Sequence, residues 1–391
     1  MPILNRIAQM HEEVAAWRHD FHAHPELMFD LHRTAARVAE KLESFGCDEV
    51  ITGIGRSGVV GVIRGSRAGS SSARKTIGLR ADMDALPIEE QTDHAYRSTR
   101  PGRMHACGHD GHTAMLLGAA KYLAETRNFA GTAVVIFQPA EENGAGALAM
   151  IKDGLMERFG VEQVYGIHNM PGIAAGQFAI RPGPQMAAAD RLFIDIEGIG
   201  GHAAKPHQCV DPILVGAQIV GQLQAIVARS VDPLDAAVVS ICMFSAGDTD
   251  NVIPSMARLV GTARALKSET RDLLERRVRE VVEGTARAHG ATATLQYERG
   301  YPVTSNHPRE TAFAAEVAAE IVGSDRVDTN TPPTMGAEDF SFMLQSRPGA
   351  FIFLGNGASA GLHHPAYDFN DDIIPIGVSY WVRLVETAMA S

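Results

Sequence analysis

The chain has 391 residues, 45% hydrophobic and 21% charged, an ordinary globular composition with material for two or three domains. Thirty-five Lys and Arg against 46 Asp and Glu leave a net charge of −11 and no basic block, which argues against nucleic acid or an anionic membrane as the main partner. No apolar run reaches the roughly 18–20 residues of a membrane span, the first residues lack a signal-peptide core, and four scattered cysteines make poor disulfide material, so a cytoplasmic protein is expected.

Ile7, Met10, Val14, Trp17 and Phe21 recur at spacings of three and four and predict a helix with one apolar face. A second helix is expected over residues 31–45, closed by Gly46. Short apolar runs without polar alternates follow at 59–63, 77–79, 133–137, 164–167 and, much later, 351–354. Such runs read as strands buried on both faces, as in a sheet sandwiched between helices. Between them lie a serine-rich exposed loop at 65–75 and an Ala/Leu/Gly-rich helix at 113–123.

From about residue 186 the texture changes. Leu192, Ile194 and Ile196 alternate with more polar neighbours, the period of a half-buried strand. Asp211-Pro212 supplies an N-cap and first turn for a helix whose expected apolar face is Ile213, Ala217, Val220, Leu223 and Val227. Strands are expected at 237–243 and 257–265. A helix from Ser268, with Leu274, Val278, Val281 and Thr285 inward, and a strand at 291–299 complete the segment. The order βαββαβ is that of a ferredoxin-like α+β unit. The expected architecture is an α/β catalytic domain in two parts, 1–185 and 300–391, interrupted by an inserted α+β domain at 186–299.

Several buried runs end in reactive residues: 77–79 in Arg80 and Asp82, 133–137 in Glu141 and Glu142, 164–167 in His168. In open α/β sheets such groups gather beyond the carboxyl ends of strands. The densest signal is His105-Ala-Cys107-Gly-His109-Asp110-Gly-His112, four potential ligands in eight residues. Thiolate with imidazole suits zinc and other first-row metals. A single Cys-x-His cannot close a site, so further ligands must arrive from elsewhere. Adjacent carboxylates Glu141 and Glu142 diverge in direction, which allows one to bind metal and the other to shuttle a proton. His168 and the pair His363-His364 offer more imidazoles.

These motifs, with others along the chain, resemble the aminoacylase/carboxypeptidase family of two-metal metallopeptidases, in its amidohydrolase branch. The branch includes hippurate hydrolase, N-acetyl-diaminopimelate deacetylase and plant indole-acetyl-amino-acid hydrolases. The resemblance runs nearly end to end, through Arg18-His-Asp-Phe-His22-Ala-His24-Pro25-Glu26-Leu27, Leu79-Arg80-Ala-Asp82-Met-Asp84-Ala-Leu-Pro87, the 104–112 cluster and Phe137-Gln-Pro-Ala-Glu141-Glu142. It continues in Gly201-His202-Ala-Ala-Lys-Pro206-His207, Asn251-Val-Ile-Pro254, Met335-Gly-Ala-Glu338-Asp339-Phe340 and Leu362-His363-His-Pro365-Ala-Tyr-Asp-Phe-Asn370.

The resemblance implies a zinc-peptidase-like catalytic domain with an inserted lid and dimerisation domain, and hence a homodimer or higher homo-oligomer. It implies that Cys107, His109, Glu142, His168 and His363 hold two divalent metals, Mn²⁺ or Zn²⁺ with Co²⁺ or Ni²⁺ as alternatives. Glu141 becomes the general base, His202 an oxyanion donor that in relatives serves a neighbouring subunit, and Asn251 a substrate contact. Arg264 and Lys205 are further candidates for a substrate carboxylate. His22, His24, His105 and His112 become supports, and Asp82 has no ligand role. The implied reaction is amide hydrolysis of a small-molecule N-acyl amino acid, hippurate-like or N-acetylated. A dipeptidase or carboxypeptidase of the same family and a non-catalytic metal-binding protein are the alternatives.

Overall fold

The computed structural model describes residues 5–68 and 75–390. Part of the serine-rich 65–75 stretch lies outside the described residues. The chain forms two compact units: Met1–Gly183 with Ser305–Pro332 and Asp339–Ser391, and Pro184–Thr304 with Pro333–Glu338.

The first unit is built on an eight-stranded mixed sheet. Its order is Glu49–Ile54, Gly58–Arg64, Gly131–Gln138, Lys75–Asp82, Gln163–Pro171, Gly349–Gly357, Phe178–Ala179 and Val327–Asp328. The four central strands run parallel. They coincide with the apolar runs at 77–79, 133–137, 164–167 and 351–354, and they are buried on both faces because helices cover them. Lys75–Asp82 has the later strands Gly131–Gln138 on one side and Gln163–Pro171 on the other, so the connections diverge at its carboxyl end. That divergence opens the crevice where ligands bind in such sheets.

The amino-terminal helix is two: Asn5–Gln9 and His11–Ala23. The break at Met10 is one tight turn in which the Met10 N–H reaches back only to Ile7 O (3.0 Å). Ile7, Met10, Val14 and Phe21 stay buried, so the apolar face survives the interruption, while Trp17 is partly buried.

The second unit is a βαββαβ fold. Its antiparallel sheet runs Ala237–Ala246, Met256–Ala265, Ala188–Glu197, Thr292–Arg299, with the helices Pro212–Arg229 and Ser268–Ala288 packed on it. Asp211 caps the first helix by accepting the Ile213 N–H at 2.9 Å. The buried stripe of that helix differs from the expected one. Pro212, Val215, Gly216, Ile219, Leu223 and Ile226 face inward, whereas Ile213 and Ala217 are exposed. Apolar residues occupy two stripes of this helix, so periodicity alone could not choose between them. Its 18 residues also have the length and mean hydropathy (1.2) of a membrane span, yet the inward stripe is part of the core of this unit. In Ser268–Ala288 the inward side is Thr270, Leu274, Val278, Val282 and Ala286, one residue beyond the expected Val281 and Thr285.

Candidate metal centre

Each candidate ligand in the first unit is delivered by a specific backbone device. Cys107 ends an irregular segment, and Gly108 (φ +89°) turns the chain into the helix His109–Thr126. A Cβ at Gly108 would stand 2.2 Å from Asn169 Oδ1, so both the positive φ and the space require glycine. Glu141 and Glu142 follow the strand Gly131–Gln138 in a kinked turn with three left-handed non-glycine residues, Ala140, Asn143 and Ala145. Such strain persists only where the surroundings over-determine it. Here Asp84 does so: its carboxylate accepts the N–H of Glu141 at 2.9 Å and that of Glu142 at 3.1 Å. His168 lies within the strand Gln163–Pro171. His363 sits at φ +64°, its N–H donating to Ala106 O at 2.7 Å, which ties this late loop to the segment preceding Cys107.

These devices bring all five residues together. Cys107, His109 and His168 offer ligand atoms within 4.8 Å of one another, and so do Cys107, Glu142 and His363. Cys107 is common to both triads. A third group joins His109 to Glu141 and Glu142. Cys107 Sγ lies 3.4 Å from His168 Nε2, and Glu142 Oε1 lies 3.1 Å from His363 Nε2.

The two buried imidazoles are held in the tautomer that metal ligation needs. His109 donates Nδ1–H to Asp84 O (2.8 Å) and His168 donates Nδ1–H to Asn169 O (2.6 Å), which leaves each Nε2 facing the cluster. His109 Nε2 is buried and has no hydrogen-bond partner among the described residues. An orphaned buried nitrogen beside a thiol, a second imidazole and a carboxylate fits a cation: the donor set is that of Zn²⁺ or another first-row divalent metal.

Electrostatics agree. Burial, reinforced by Glu142, pushes the Cys107 thiol up to about 12. Burial opposes ionisation of His109, but Asp82 and Cys107 outweigh it and raise its pKa well above the usual range. Burial also holds His168 well below its ordinary value. Glu142 is lowered despite burial, through His363 and His109. A cluster that must keep protons on its thiol and one imidazole is one in which a divalent cation can replace them.

His112 and Asp82 form a further group with His109, their ligand atoms within 4.8 Å of one another, but both are engaged in hydrogen bonds. His112 Nδ1 meets Asp82 Oδ1 at 2.6 Å, and its Nε2 lies 2.8 Å from Asn169 Oδ1 and 3.0 Å from Asn169 N. Asp82 Oδ2 takes Arg80 Nη1 at 2.7 Å, and burial is outweighed by Arg80, His109 and His112, which hold this carboxyl well below the usual range. Arg80 also donates to Gln138 Oε1 (2.8 Å) and to Asp339 (3.1 Å). Asp339 in turn accepts from Gln138 Nε2 and Ala147 N, and its own N–H donates to Glu141 Oε1 at 3.4 Å.

His22 pairs with Asp110 (2.8 Å) and Glu90 (3.3 Å), and His24 donates to Asp20 O; neither faces the ligands. His105 is buried with both ring nitrogens unpartnered among the described residues, and burial lowers its pKa to about 3. Sequence reasoning gave Asp84 no task and considered Asp339 only as a support for a ligating imidazole. Asp84 secures the Glu141-Glu142 turn and orients His109; Asp339 links Arg80 to Glu141. Their sequence signal was membership of the motifs at 79–87 and 335–340.

In the second unit His202 and Asn251 come side by side. His202 pairs with Val252 across a short antiparallel ladder, and the Ala203 N–H donates to Asn251 O at 3.0 Å. Both are exposed. The Ala204 N–H donates to His202 Nδ1 (3.1 Å), which places the imidazole proton on Nε2. Lys205 closes the same turn by donating its N–H to His202 O at 2.8 Å. Arg264 lies elsewhere, on the strand Met256–Ala265, with Nε 3.2 Å from Thr262 Oγ1.

Residues 78–387 match the model of peptidase family M20/M25/M40. The chain belongs to this family. It is 42% identical over 384 residues to a hippurate hydrolase of Campylobacter jejuni, covering 98% of each chain. It is 39% identical to a thermostable carboxypeptidase of Saccharolobus solfataricus, covering 95% of this chain and 94% of that one. Its fold matches the crystal structure of the Bacillus subtilis YXEP protein, a dinuclear metal-binding peptidase of the M20 family. The TM-score is 0.84 at 33% identity, over 98% of this chain and 99% of that one. The chain is therefore a metal-dependent hydrolase of the amidohydrolase branch.

Proposed function

We propose that this enzyme hydrolyses the amide bond of N-acyl amino acids, hippurate-like or N-acetylated, releasing a carboxylic acid and an amino acid. The observation that carries this reading is the sharing of Cys107 between two ligand triads with Glu141 beside them. Cys107, His109, His168, Glu142 and His363 would hold two divalent cations, Mn²⁺ or Zn²⁺ by preference. Bound there, the cations supply Lewis acidity toward a water and the scissile carbonyl. Glu141 takes the proton of the attacking water and returns it to the leaving amide nitrogen, a contribution of about 10²–10⁴-fold. His202, with its proton on Nε2, donates to the oxyanion of the tetrahedral intermediate, and Asn251 beside it contacts substrate. The second unit serves as lid and dimerisation domain.

The kinship with the hippurate hydrolase favours an acylated substrate; the carboxypeptidase relative keeps a peptidase reading in play. A panel of benzoylglycine, N-acetyl amino acids and free-amine dipeptides, assayed on protein reconstituted with each metal, separates them. Turnover confined to free-amine dipeptides would overturn the acyl-substrate reading. Loss of turnover in Glu141→Gln with both metals retained is expected; near-normal turnover would remove Glu141 as the base.

A further inference from the structure

Away from the metal ligands, the first unit carries a second cleft of about 310 Å³, lined by His24, Glu26, Arg33, Arg100 and Arg103. Three arginines against one glutamate give this cleft a local excess of positive charge in a chain whose net charge is −11. Of the acids at hand, Glu26 lines the cleft with its carboxylate oxygens already hydrogen-bonded, and Asp20 is ion-paired. Glu26 accepts the N–H groups of Arg33 (3.1 Å) and Thr34 (2.8 Å) at the start of the helix His32–Ser44. Asp20 takes Arg33 Nη2 at 2.7 and 3.0 Å. Arg33 Nη1 is left buried with no hydrogen-bond partner. The guanidinium groups of Arg100 and Arg103 make no ion pair or hydrogen bond among the described residues.

The unpaired guanidinium groups of Arg100 and Arg103, one exposed and one half-buried at this cleft, are donors that a ligand oxygen can satisfy. Arginine forks match tetrahedral and planar oxyanions through paired N–H bonds. We propose that this cleft binds a small, multiply charged oxyanion of phosphate-like chemistry. Its volume accommodates inorganic phosphate with space for an organic substituent.

The cleft is mechanically joined to the metal ligands. Arg100 and Arg103 belong to one turn, closed by the Arg103 N–H on Arg100 O (3.1 Å) and by Gly102 N–H on Glu89. The next residue, Met104, pairs with Leu86 through two 3.0 Å hydrogen bonds, and the Ala85 N–H donates to Glu26 O at 2.8 Å. Met104 leads to Cys107, and Ala85 adjoins Asp84. An anion held by Arg100 and Arg103 therefore braces the segment that presents Cys107. Binding at the cleft does not depend on which amide the enzyme cleaves.

The test is calorimetric titration of the metal-loaded full chain with inorganic phosphate, on the parent protein and on Arg100→Ala/Arg103→Ala. Both side chains are unpaired and lie on a surface turn, so the variant should keep its melting temperature and its hydrolysis rate in phosphate-free buffer. A metal centre is itself a phosphate site, so the parent should show two binding events. The variant should keep one and weaken the other about ten-fold or more. Malonate replaces phosphate in a second arm, to separate phosphate from dicarboxylate chemistry, and should bind the arginine-dependent site more weakly. Superimposable titrations of parent and variant with both anions overturn the proposal, as does an arginine-dependent event that prefers malonate.

Discussion

The Cys107 thiol, held near 12 by burial and Glu142, and the His109 imidazole, raised by Asp82 and Cys107, both carry protons until a cation displaces them. Metal affinity should therefore increase with pH, and uptake at neutral pH should release protons. Calorimetry in buffers of different ionisation enthalpy measures that release; a heat independent of buffer would count against thiolate ligation. Asp84 is the residue whose carboxylate holds the backbone of both glutamates. Asp84→Ala should weaken metal binding by about 10–100-fold, the usual scale for a group that orients ligands. Metal competition against a chromophoric chelator reads this directly. Arg80 matters differently: it neutralises Asp82 and Asp339, all three buried. Arg80→Met leaves two buried carboxylates without their cation and should destabilise the fold by about 3–5 kcal/mol, seen in urea unfolding.

At the scale of elements, the metal ligands are held where helices and strands meet. The helix His109–Thr126 begins at Gly108, and Gly108→Ala would force a Cβ against Asn169. Displacing that helix start moves Cys107 and His109 together, so the variant should lose metal occupancy more than it loses melting temperature. The same helix is pinned to His11–Ala23 by Asp110, which meets His22 at 2.8 Å. Burial lowers the His22 pKa, but Asp110 and Glu90 outweigh it and raise it from 6.5 to about 9. A raised histidine pKa stabilises the fold fully below 6.5, and that contribution is lost as pH climbs through about 9. The melting-temperature gap between the parent and His22→Gln should accordingly be widest near pH 6 and close by pH 9–10. A constant gap across that range would place the effect of His22 in packing instead of charge.

For the whole molecule, the proposed role of His202 makes a prediction about assembly. If the second unit of one copy serves the metal centre of another, mixing His202→Ala with Glu141→Ala proteins should restore part of the activity in hybrid dimers. Verified hybrids without activity would confine each site to a single chain. The sequence by itself was sufficient for the buried central strands and the βαββαβ order, while the set of five ligand candidates came from its resemblance to the family. Strand burial follows from unbroken apolar runs, and Cys107, His109, Glu141 and Glu142 sit in short motifs whose chemistry is local. Where two arrangements satisfied the local pattern, it misled: Ile213 and Ala217, expected inward, are exposed. The inward stripe of Pro212–Arg229 was settled by contact with a sheet, because both of its apolar stripes have the same period. Likewise Asp84, Arg80 and Asp339 acquired their tasks only when the turn after Gly131–Gln138 and the segment around Asp339 folded against the end of Lys75–Asp82. Local spacing encodes what neighbouring residues do to one another; the partners of a buried charge are fixed by chain segments that meet only in three dimensions.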